Sequence, residues 1–128
     1  MSDKFTVEII SPDQTILKQE ASEVVIPSFE GQMGILNNHI PLITFLRPGI
    51  IKIKAEGEKK YYVEEGTVEF SNNNLLILTS TAKDVADLDK SQINDLIQKA
   101  EANLNAQSTD KERYVASYKL ETLKEISQ

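Results

Sequence analysis

The sequence predicts an α+β fold: an N-terminal antiparallel β-sandwich of about eight to ten strands, then a C-terminal two-helix antiparallel hairpin. Three observations carry this. Turn-forming residues punctuate the first two-thirds of the chain roughly every 8 to 12 residues, the spacing of sandwiches and barrels. Short β-branched runs lie between those points, several alternating apolar and polar. After Thr81 the apolar period lengthens from two to that of a helix. The expected division is residues 1–84 for the sandwich and 85–128 for the hairpin.

From Phe5 the chain alternates, with Phe5, Val7 and Ile9 on one face and Thr6 and Glu8 on the other. Ser11-Pro12-Asp13 stops this strand, because proline fixes φ and aspartate bonds back to its own backbone. Gln14 to Glu20 and Ser22 to Pro27 follow, the second rich in β-branched Val24, Val25 and Ile26. Further strands are expected at Pro41–Leu46, Ile50–Lys54, Lys60–Glu64, Thr67–Phe70 and Leu75–Thr79. Glu30-Gly31, Asn37-Asn38, Arg47-Pro48-Gly49, Glu56-Gly57, Glu65-Gly66 and Asn72-Asn73-Asn74 mark the turns.

In the last third, Ile93, Leu96, Ile97, Ala100 and Leu104 form one helical stripe. Asp89 is the expected N-cap, with Gln92 completing a capping box. The stripe ends at Gln107, and Thr109 with Glu112 offers a second box. The second helix is expected to run to about Ile126, with apolar Tyr114, Val115, Tyr118, Leu120, Leu123 and Ile126 on a broader face. Its charges balance and read as a solvated surface. Two helices joined at Gln107-Ser108 have too little core to stand alone, so they must dock.

The 128 residues, 40% hydrophobic and 27% charged, suit one ordinary soluble domain with a small appendage. A net charge of −6 argues against nucleic acid or anionic lipid as partners. With no cysteine, thiol catalysis, disulfides and thiolate metal sites are excluded. The N-terminus carries no secretory pattern and no apolar run approaches a membrane span, so a cytoplasm-like compartment is expected, with membranes met only through partners.

The least regular stretch is Pro27–Gly49, which holds the only histidine. His39 has no neighbours at metal-ligand spacing and no nucleophile to serve, so it reads as a turn or interface residue. Glu64-Glu65 are adjacent and point apart, which suits general acid/base work poorly. The five glycines form no phosphate loop opening a helix. No catalytic residue, metal or cofactor is expected, and a binding or mechanical subunit is.

Three ordered segments resemble the epsilon subunit of bacterial F-type ATP synthases. They are Glu30-Gly31-Gln32-Met33-Gly34-Ile35-Leu36 with His39-Ile40-Pro41-Leu42 and Leu46-Arg47-Pro48-Gly49; Tyr62-Val63-Glu64-Glu65-Gly66-Thr67-Val68-Glu69-Phe70; and Leu76–Ala82 leading to Asp87-Leu88-Asp89. The resemblance covers essentially the whole chain. It implies a non-catalytic rotor subunit at the foot of the central stalk, between the gamma subunit and the c-subunit ring, on the cytoplasmic face of the bacterial inner membrane. It implies contact with gamma and the c ring through Glu30, Gly31, Gln32, Met33, Asn38, His39 and Ile40. It further implies a regulatory hairpin that reaches the alpha and beta subunits and hinders ATP hydrolysis, its Arg113, Lys119 and Lys124 meeting beta.

Two departures stand out. The family's Pro-Gly turn is Asn37-Asn38 here, and asparagine tolerates the left-handed backbone such a turn needs. Some relatives bind ATP through an I/L-D-x-x-R-A box, which here reads Leu88, Asp89, Gln92 and Ile93. Without the guanidinium, weak or absent ATP binding is expected. The alternative is a free-standing sandwich that binds carbohydrate or peptide under a helical cap. Four Phe and four Tyr, spread along the chain, offer such a module no sugar platform. An enzyme is the third reading and needs an acid pair assembled by the fold.

Overall fold

The computed structural model describes residues 3–107 and 109–127. Ten strands precede two helices: β1 Phe5–Ile10, β2 Thr15–Ala21, β3 Glu23–Ser28, β4 Gly31–Leu36, β5 Leu42–Leu46, β6 Gly49–Lys54, β7 Glu58–Val63, β8 Gly66–Ser71, β9 Asn74–Leu78 and β10 Lys83–Asp84. A 3-10 turn at Val85–Asp87 leads into α1, Lys90–Ala106, and then α2, Asp110–Ile126. The connection expected at Gln107-Ser108 lies partly outside the described residues.

The strands form one sheet in the order β10-β7-β6-β3-β5-β8-β9-β1-β2, with β4 on the side of β3. Inward residues of its two halves share one core. Val24, Ile26, Ile51, Ile53 and Val63 come from one half, and Val7, Ile9, Val68, Phe70, Leu75 and Ile77 from the other, all nearly fully buried. The sheet is therefore folded on itself as a sandwich, and β3 is the fold line. Its first residues, Glu23–Val25, pair with Lys52–Lys54 of β6, while its last, Ser28, pairs with Leu46 of β5. Antiparallel pairing holds with one exception, since β1 runs parallel to β9 through Thr6–Ile10 and Asn74–Leu78. A first strand arriving beside the ninth has the whole sandwich as its crossover, so parallel pairing needs no special connection.

Pro27 and Gly49 set the closest approach at the fold line. A Cβ on Gly49 would lie 2.4 Å from Pro27 Cβ and 2.8 Å from Pro27 Cγ, so only glycine fits. Pro27 has no N–H to give a neighbour, and its carbonyl accepts from the Arg47 N–H at 2.9 Å.

The sequence reading missed two strands. β4 lies inside the irregular stretch Pro27–Gly49, where Gly31 and Gly34 interrupt any β-propensity signal; pairing to β3 from Glu23↔Leu36 to Ser28↔Gly31 imposes the strand. β10 is a two-residue bridge to Tyr61 and Tyr62, too short to have a period. Glu64 and Glu65 sit in the β7–β8 turn rather than within a strand.

The helices begin where their caps predict. The Asp89 carboxylate accepts from Gln92 N–H at 2.8 Å, and Gln92 Oε1 accepts from Asp89 N–H at 3.0 Å. Thr109 Oγ1 accepts from Glu112 N–H at 3.1 Å. The hairpin lies on the outer face of β7 and β6. At the end of β7, Tyr61, Tyr62 and Val63 are all buried, because the inward pair faces the main core and Tyr62 faces the helices. Tyr62 joins Ala100 and Leu123 in a second, small core with Val85, Leu96, Ile97, Leu120 and Ile126 packed around it.

The fold-line packing is testable with Gly49→Ala. Overpacking against Pro27 should lower the unfolding free energy by about 2 kcal/mol, read from the urea midpoint at unchanged slope.

Candidate functional site

The residues expected to face partners fall at the two ends of β4. A six-residue strand spans roughly 20 Å, so Glu30 to Met33 and Asn38 to Ile40 are two clusters joined by one strand. Among the described residues β4 pairs only with β3. Its sequence Gly31–Leu36 carries no charge, whereas the outer strand β2 has Lys18 and Glu20 and β10 is only Lys83-Asp84. Charged or very short edges resist pairing with other chains; an uncharged one does not.

At the first end, buried Ser28 holds the turn. Its Oγ accepts from Glu30 N–H at 3.2 Å and donates to the Gly31 carbonyl at 2.7 Å. Gly31 takes φ +122°, which other residues rarely adopt. The Glu30 side chain is exposed and has no ion-pair partner among the described residues. Gln32 borders a cleft of about 90 Å³ beneath α2, together with Arg47, Tyr118 and Glu121.

At the other end two asparagines from separate turns hold each other. Asn73 Oδ1 accepts from Asn38 N–H at 2.7 Å, and Asn73 Nδ2 donates to Asn38 Oδ1 at 3.0 Å. Both backbones are left-handed, at φ 65° and 56°. The β4–β5 turn is thus tied to the β8–β9 turn, and asparagine supplies both the backbone tolerance and the bond. His39 sits edge-on to Phe70 at 5.9 Å, with Nδ1–H donating to the Ile40 carbonyl at 2.7 Å. It closes the end of the core, while Ile40 projects outward.

Sequence reasoning missed the apolar residues on the outer face. Ile43 and Phe45 of β5 are 74% and 60% exposed, and Phe29 beside them is 40% exposed. The signal was present: in Leu42-Ile43-Thr44-Phe45-Leu46, apolar residues occupy both faces of a strand that covers the core with one. Exposed apolar side chains of this kind are suited to burial against another chain.

On the hairpin, the three basic residues differ. Arg113 and Lys124 are exposed, but Lys119 pairs with Glu64 at 3.3 Å. Glu64 also accepts from the Tyr62 hydroxyl at 3.1 Å. Burial first, then the Glu64 charge and this hydrogen bond, hold the Tyr62 hydroxyl far above the usual phenol range. Of the degenerate nucleotide box, Asp89 and Gln92 cap each other and Ile93, in the first turn of α1, is buried. Leu88 N–H closes the 3-10 turn on the Val85 carbonyl. Each has a structural task. Among the described residues no three acids or histidines gather as a metal site, and no helix is long and apolar enough to cross a membrane.

An uncharged strand edge, apolar residues beside it and a helical arm over a second small core define an assembly protein, one that binds other chains. Residues 4–85 match the family profile described as "ATP synthase, Delta/Epsilon chain, beta-sandwich domain". An ATP synthase epsilon chain from Pelagibacter ubique is 48% identical over 99% of this chain and 100% of its own length. One from Parvibaculum lavamentivorans is 33% identical over 98% and 97%. The fold also matches a chain of the Euglena gracilis mitochondrial ATP synthase, solved as OSCP/F1/c-ring, at TM-score 0.81 and 21% identity, covering 100% of this chain and 84% of that one. The chain belongs to the ATP synthase delta/epsilon chain family, among the epsilon chains. It is a non-catalytic subunit of that complex.

The asparagine clasp predicts a coupled pair. Asn38→Gly and Asn73→Gly keep the left-handed backbones and remove the side chains. A double-mutant cycle in urea should give a coupling of about 1 kcal/mol for the side-chain pair; simple additivity would mean that this pair adds nothing beyond the Asn38 N–H bond to Asn73.

Proposed function

We propose that this chain works as the rotor epsilon subunit of a proton-translocating ATP synthase, carrying c-ring rotation to gamma in the central stalk. Residues 1–84 are the rotor-binding module and residues 85–128 the regulatory hairpin. The observation that carries this reading is the 48% identity to an epsilon chain along essentially both full lengths. The fold likeness to a chain of the Tetrahymena thermophila mitochondrial ATP synthase, solved as its central stalk and c-ring, is consistent with it at TM-score 0.67.

The docking surface is the β4 edge with its two ends: Glu30, Gly31, Gln32 and Met33 on one side, Asn38, His39 and Ile40 on the other, toward gamma and the c ring. Support comes from the uncharged strand between them and from exposed Phe29, Ile43 and Phe45 alongside. Torque transmission demands a stiff coupling element, which a close-packed sandwich provides. Glu30, exposed and without an ion partner among the described residues, is suited to a basic residue on a partner. The protein sits peripherally on the cytoplasmic face of the bacterial inner membrane, held there by the complex.

The hairpin, reaching the alpha and beta subunits, limits ATP hydrolysis through Arg113, Lys119 and Lys124 against beta, modestly, because acids flank them. ATP is not a ligand of its capped helix start. In the reconstituted complex, removing residues 88–128 should leave coupled synthesis largely intact and raise hydrolysis; loss of assembly would overturn the division of labour. Glu30→Lys should weaken gamma and c-ring binding about tenfold, roughly 1.4 kcal/mol, at unchanged Tm. Isothermal titration with MgATP should give no micromolar site.

A further inference from the structure

The helical arm is attached to the sandwich by few groups. Its own core is a separate cluster around Tyr62, Ala100 and Leu123. Segments with a small separate core open below the global unfolding free energy. Apart from a stack of Tyr114 on Phe29, what keeps this one closed is concentrated on two turns of the sandwich.

The first is the β5–β6 turn. The Arg47 guanidinium carbon lies 4.0 Å from the centre of the Tyr118 ring, a cation–π contact. One of its terminal nitrogens reaches the Tyr114 hydroxyl at 3.4 Å. Tyr114 packs edge-on to Tyr118 at 4.8 Å and stacks on Phe29 at 5.9 Å with rings 16° apart. Thr122 Oγ1 donates to the Tyr118 carbonyl at 2.7 Å and stands 3.5 Å from the Pro48 carbonyl. The second is the β7–β8 turn, where Glu64 takes both Lys119 and the Tyr62 hydroxyl.

From this geometry we infer that the two turns form a clasp on α2, with Arg47 as its principal element. The clasp sets how often the hairpin opens and keeps Lys119 occupied until it does. The inference rests on the reading of the hairpin as a regulatory arm and adds what regulates its release. A planar guanidinium covers an aromatic face and reaches a hydroxyl beside it; an ammonium does neither as well. Arg47 N–H is bonded to Pro27 and Phe29 N–H to Phe45. The clasp is therefore built on the backbone that shapes the Glu30 turn. A partner that moves Phe29 acts on Tyr114 directly.

The test uses the isolated full chain, so its outcome is independent of whether the chain joins a rotor. Arg47→Lys, and separately Tyr118→Leu, should speed amide exchange across α2 about tenfold while β1 and β9 amides stay unchanged. Acetylation of Lys119 should rise by a similar factor relative to exposed Lys124. The double variant should add little to either single change. Unchanged α2 exchange, equal acceleration in the strands, or additive effects of the two substitutions would each overturn the clasp. Failure of the rotor reading would show instead as a chain that does not bind gamma.

Discussion

The contact on which the rest of the structure depends is Pro27 against Gly49. There the sheet turns from one half of the sandwich to the other, and a side chain on Gly49 would hold the two strands apart. The same closeness lets the Pro27 carbonyl take the Arg47 N–H and fixes where the β5–β6 turn leaves the sheet. From that turn the guanidinium reaches α2. On the other side of Pro27, Ser28 organises the turn carrying Glu30. One tight packing point thus positions the fold line, the first end of the proposed docking edge and the anchor of the helical arm.

A second constraint follows from β7. A strand in a two-layer sandwich needs one apolar face, and Tyr61 and Val63 provide it. Tyr62 faces the other way, and its ring is too large to leave in water without loss. The helices cover it, and Glu64 satisfies its hydroxyl. Burial of the ring, and after it the neighbouring Glu64 charge and hydrogen bond, hold the phenol proton firmly. The docking face of the sandwich is therefore specified by one aromatic residue and the acid two positions on.

The fold was largely legible because its signals are local. Alternation in Phe5–Ile10 and the stripe from Ile93 to Leu104 reflect which side chains face a core, and the caps at Asp89 and Thr109 satisfy backbone groups within one turn. β4 and β10 were not legible because their order comes from a neighbouring strand, and Gly31 and Gly34 hide any period. The same distinction governs the candidate site. Glu30 and His39 could be singled out as residues of an irregular stretch. That they stand at opposite ends of one strand, that Asn38 is held by Asn73, and that Arg47 meets Tyr118 are facts of separation in space, with partners 35 and 71 positions apart in the chain.

Stiffness and release make opposite demands on packing, and the chain separates them. The sandwich has one continuous core contributed by nearly every strand, so no part of it opens without exposing the rest. The hairpin packs on Tyr62 through a small separate core, and adds to its attachment an aromatic stack, an aromatic–guanidinium contact and an ion pair. Contacts of that kind are directional and weak, each within reach of what a competing surface can offer. Apolar burial of the same area would hold the arm as firmly as the strands and leave nothing for a partner to shift. On the proposed reading, placing polar contacts on two turns, one of them rooted beside the Glu30 loop, gives the arm a closed state that events at the proposed docking edge can reach.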